Sequence, residues 1–78
     1  MKLKQLGANR TQLEVKDGAL VLFSYETPVA AFVPGRGYLV SSVYYSRTTS
    51  KHIGQWIGGE AARTKVLQSE IDALVGGA

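Results

Sequence analysis

The chain has 78 residues, a formal net charge of +3, one histidine and no cysteine. Its length leaves room for a single domain that buries only about 60% of its unfolded surface, so a second domain is excluded. The lack of cysteine excludes disulfides, thiolate metal sites and a cysteine nucleophile. The longest apolar run, Ala19 to Phe23, is five residues, far short of the roughly 20 that a spanning helix needs. Met1 to Gly7 carries no apolar signal region, so a soluble cytoplasmic protein without metal or other cofactor is expected. Charge is uneven along the chain. Residues 1–57 hold seven Lys/Arg against three acids, and residues 58–78 hold two against three. Such a basic front favours a polyanion or an acidic protein surface as partner.

Asp17-Gly18, between Leu13 to Lys16 and Ala19 to Phe23, is a strong hairpin signature because both central turn residues must take positive φ. Thr27-Pro28 after Tyr25-Glu26, and Pro34-Gly35-Arg36-Gly37 before Tyr38 to Tyr45, mark two further turns. Four antiparallel strands follow, and Leu3 to Leu6 offers a short additional edge strand. Strand 19–25 is apolar on both faces, with Leu20 and Leu22 on one and Val21, Phe23 and Tyr25 on the other. That pattern predicts a central position covered on both sides.

After Ser46 the apolar period lengthens from two to about 3.6. Ile53, Trp56 and Ile57 share one side of a short helix, capped by a hydroxyl of Ser46, Thr48 or Thr49 and stopped by Gly58-Gly59. A second helix is expected from Glu60 to Val75, with the stripe Leu67, Ile71, Leu74 and Val75 on the sheet and Gly76-Gly77 as its stop. Ala62, Val66 and Ala73 would form a secondary apolar strip suited to a homodimer. The expected fold class is α+β in one domain spanning 1–78. A four-stranded antiparallel β-meander (1–45) is followed by two α-helices (46–77), packed on one face through Ile53, Trp56, Leu67, Ile71 and Leu74.

Catalytic constellations are missing. No carboxylate lies three or four residues from His52, and Ser50 and His52, two apart on a helix, do not face each other. The chain is therefore expected not to be an enzyme. Cations stand where a helix start normally gathers acids, which makes Arg47, Thr48, Thr49, Ser50, Lys51 and His52 a candidate binding site for an anionic group. The structural alternative is a solvated helix start whose hydroxyls act only as caps, with His52 against Trp56. Arg36 and Tyr44 join the candidate residues, because tyrosines on a sheet beside arginines can stack bases. Trp56, beside Ile53 and Ile57, is expected in the core.

Three segments, Phe23-Ser24-Tyr25-Glu26-Thr27-Pro28-Val29-Ala30-Ala31-Phe32, Gly35-Arg36-Gly37-Tyr38 and Tyr45-Ser46-Arg47-Thr48-Thr49-Ser50-Lys51-His52-Ile53, together resemble a group of small tailed-phage proteins with no assigned activity. The resemblance covers about residues 5–57. It implies a phage accessory protein in the host cytoplasm that binds a host protein, as an inhibitor in one form. The competing expectation is a small nucleic-acid-binding protein using the basic front and the tyrosine-bearing sheet. Cations scattered around an apolar patch would favour the protein partner, and one continuous cationic stripe would favour nucleic acid.

Overall fold

The computed structural model describes residues 2–7, 9–58 and 62–76. The elements run β1 (Lys2–Gly7), β2 (Arg10–Glu14), β3 (Leu20–Ser24), β4 (Thr27–Val33), β5 (Gly37–Ser41), α1 (Arg47–Ile57), β6 (Arg63–Val66) and α2 (Gln68–Gly76). All six strands form one sheet in chain order. Strands β1 to β5 pair antiparallel, and β6 lies parallel to β5. The fold is α+β, as expected. No helix among the described residues is long and apolar enough to cross a membrane.

The turns form where their chemistry demands. Asp17 and Gly18 take φ of 60° and 78°, the left-handed backbone that lets β2 return as β3. Gly35 takes φ of 88° where Arg36 N–H closes on Val33 O at 2.9 Å. Between β3 and β4 the register shifts after Leu22. This bulge lets Val29 and Ala30 both join the core under α1.

Side chains along β3 alternate, and both of its faces are packed. Val21 joins Val15, Ala19, Ala31, Leu39, Val66 and Ile71 beneath α2. Leu22 joins Val29, Ala30, Val40 and Ile57 beneath α1, with Ile53 and Trp56 alongside. The helices therefore cover opposite faces, which corrects the expectation that both pack on one. The physical reason is the connection. Parallel β5 and β6 need a crossover, α1 supplies it over one face, and α2 leaves β6 over the other.

Two more strands are present than the expected four, and the second half is not a pair of helices alone. Strand β1 is the edge strand foreseen over Leu3 to Leu6. Strand β6 occupies residues expected to be helical, because pairing with β5 overrides the weak local preference of Arg-Thr-Lys-Val. Glu60, the expected start of that helix, lies outside the described residues, as do Gly59 and Gly77 of the two expected glycine stops. The expected stripe is shortened. Ile71 is fully buried, with Leu74 and Val75 packed beside it, but Leu67 precedes α2 and is 65% exposed. Nor does an Ala62/Val66/Ala73 strip exist, since Val66 is buried under α2 while Ala62 and Ala73 are exposed.

Candidate functional site

Helix α1 begins at Ser46, whose extended backbone leads the chain out of the sheet and whose Oγ accepts from Thr49 N–H at 3.1 Å. It ends at Gly58, whose φ of 92° lets its N–H reach Gly54 O at 3.0 Å. Of the three hydroxyls that could cap α1, Ser46 does so. The cap frees Thr49 to turn inward, where it is buried.

Thr49 belongs to a chain of hydroxyls under the helix. Ser46 Oγ donates to Thr49 Oγ1 at 3.2 Å. Ser24 Oγ lies 3.0 Å from Thr49 Oγ1 and 2.9 Å from His52 Nδ1. Either hydroxyl can donate between Thr49 and Ser24, and Ser24 donates to His52 Nδ1 or accepts from it according to the ring tautomer. Burial, then the charges of Arg10 and Lys51, lower the pKa of His52 below its usual 6.5 and favour the neutral ring. Ser24 is buried and offers its oxygen to no substrate. The network fastens α1 to β3.

Because the folded pKa of His52 is lowered, the unfolded chain takes up the proton first as pH falls. The stability this contributes is complete above 6.5 and is lost as pH drops from 6.5 through the lowered folded value. Thermal midpoints measured between pH 7.5 and pH 5 should therefore fall for the natural protein and fall less for His52→Gln. Parallel curves would show that His52 is not the source.

The remaining candidate residues separate. Arg47, Thr48, Ser50 and Lys51 are exposed along α1. His52 does not lie against Trp56; its ring faces Tyr25, with centroids 6.1 Å apart. Trp56 packs over the sheet as expected, meeting Tyr38 edge-on at 5.7 Å and donating from Nε1 to Gln12 Oε1 at 2.9 Å. Arg36 sits in the β4–β5 turn, at the far end of β5 from the start of α1, with Glu70 3.9 Å away. It cannot share a site with Arg47 or Lys51. Arg10 is held on Gln55 at 2.6 Å.

Two candidate residues, Tyr44 and Ser50, do meet, in a groove of about 210 Å³ between the start of α1 and β6. Its lining combines the apolar Val40, Ile53 and Val43 and the ring of Tyr44 with the cations Arg63 and Lys65. Val40 is buried, while Tyr44 is 73% exposed. No acidic side chain lines the groove among the described residues. Arg63 and Lys65 are two apart on a strand and so share its α1 side, whereas Thr64 and Val66 face α2. Sequence reasoning missed both cations. Their spacing of two, read as part of a helix, was the available signal.

A second concavity, of about 300 Å³, lies on the α2 side of the sheet beyond that helix, lined by Leu3, Leu13, Phe23 and Tyr25 with Thr11 and Glu26.

Among the comparisons with known proteins, a family model described as a family of unknown function (DUF8033) matches residues 1–73. Neither the curated proteins nor the solved structures returned a match.

Proposed function

We propose, for a chain that belongs to the DUF8033 family, the role of a non-enzymatic accessory module of phage type that works in the host cytoplasm by binding an acidic region of a host protein. The groove between α1 and β6 is the binding site. The observation that carries this is a groove lined by apolar Val40 and Ile53 together with the cations Arg63 and Lys65. Apolar floors ringed by charge are what protein side chains fill, whereas a nucleic-acid backbone is followed by a continuous basic track. Here the track is broken. Arg36 is turned to Glu70 of α2, the helix on the opposite face, and Arg10 is engaged with Gln55.

A nucleic-acid partner remains the second reading because of one observation, the exposed Tyr44 ring that lines the same groove as Arg63 and Lys65. Bases stack on such rings beside cations. Capture from host lysate by the tagged protein, with and without nuclease, separates the two. Recovery of one protein species that survives nuclease and fails with Arg63→Glu/Lys65→Glu supports the proposal. Capture abolished by nuclease overturns it in favour of the second reading.

Arg47 and Lys51 lie on α1 next to Ser50 and outside the groove lining. As exposed rim charges they contribute about 0.2–1 kcal/mol each to an ion pair. Arg47→Ala/Lys51→Ala should thus weaken partner binding by no more than about 30-fold and leave stability within about 0.5 kcal/mol. Complete loss of binding in a calorimetric titration would move the site onto α1.

A further inference from the structure

The groove ends at a sheet edge that has its own binding capacity. β6 is the last strand in the order, and no further strand pairs with it among the described residues. Ser42 N–H bonds Val66 O at 2.8 Å, so the peptide groups of Val66 turn toward β5. Peptide groups alternate along a strand, so the N–H and C=O of Lys65 turn the other way, off the sheet. On its α1 side the same strand presents Arg63 and Lys65, and on its α2 side Thr64 and the buried Val66.

Resting on the groove assignment above, we infer that the partner contributes an extended acidic segment that adds to β6 as a seventh strand. Its backbone bonds Lys65. Its side chains alternate, with carboxylates opposite Arg63 and Lys65 and apolar residues opposite Thr64 and Val66. Main-chain pairing supplies the alignment and the alternating contacts supply the selectivity, as in other strand additions. Charge selects the occupant as well. A second copy of β6 would set Arg63 and Lys65 against their own kind, whereas an acidic strand meets opposite charge at both positions.

The experiment uses blocked octapeptides with the whole protein: one alternating glutamate and valine, an isomer with four glutamates followed by four valines, and the alternating peptide N-methylated at every second residue. Fluorescence anisotropy measures each affinity, and ¹⁵N spectra follow the exchange of the Lys65 amide with solvent. The expected result is tightest binding by the alternating peptide. The block isomer and the methylated peptide should be weaker by about tenfold, the scale of two or more lost hydrogen bonds. Slowed exchange at Lys65 should appear with the alternating peptide alone.

Equal affinities for the alternating and block peptides, lost together in Arg63→Glu/Lys65→Glu, would overturn strand addition and leave the groove assignment standing. Equal affinities indifferent to that double substitution would overturn both. No binding by any peptide at millimolar concentration would overturn strand addition, and the lysate capture would then judge the groove by itself.

Discussion

Ile71→Ala is expected to lower the stability of this protein by about 2–5 kcal/mol, the range for removing a buried aliphatic side chain and leaving a cavity. A domain of this size holds only about 4–12 kcal/mol in total, so the variant should be partly unfolded at physiological temperature. The magnitude follows from geometry. Ile71 is fully buried, is the one buried side chain in the short helix α2, and packs with Val21, Ala31 and Leu39 at the centre of the sheet. Half-buried Leu74, beside it, should cost less when truncated. Urea unfolding followed by circular dichroism and by Trp56 emission would measure the loss. Trp56 lies under the opposite face, so coincident transitions from both probes would show that the two half-cores unfold together. A loss below about 1 kcal/mol would mean that α2 does not depend on this anchor.

Reversal of the groove charges should have the largest effect on binding. In Arg63→Glu/Lys65→Glu, two attractions become two repulsions against an acidic partner. At about 0.2–1 kcal/mol for each exposed attraction and a similar term for each repulsion, the upper end is a loss of roughly 1,000-fold. Both residues are exposed, so the melting temperature should move by only a few degrees. Interferometry on the captured partner would read the affinity, and added salt should weaken the natural protein far more than the variant. An unchanged affinity in a folded double variant would place the partner elsewhere on the surface.

Much of the sheet could be read from residues close in the chain. Asp17-Gly18 and Pro34-Gly35 set their turns through local backbone demands, and the two-sided strand around Val21 and Leu22 announced a sheet covered on both faces. The helices were nevertheless expected on one face. Which face a helix covers is set by the crossover to β6, and the one strand signal in β6, the spacing of two between Arg63 and Lys65, was read as part of a helix. Its residues, Arg-Thr-Lys-Val, become a strand because β5 offers an open edge. The site shows the same division. Tyr44 and Ser50 were legible as a tyrosine beside a helix start, but Arg63 and Lys65 reach them only through a parallel pairing that brings Tyr38 opposite Arg63. Likewise, Ser24 and His52, 28 residues apart, are joined by the packing of α1 on β3, which no spacing rule announces.

The two outer strands of the sheet have a consequence for how copies of the molecule meet. Lys4 is exposed on β1 at one end, and Arg63 and Lys65 on β6 at the other. Copies laid end to end would bring cations against cations at every junction, whichever edge met whichever. Edge pairing is the route by which sheet proteins grow into filaments, and here the growing tip would repel each newcomer. A carboxylate-bearing strand would remove that repulsion, so the same charges that oppose growth by edge pairing would favour a chain unlike this one at β6.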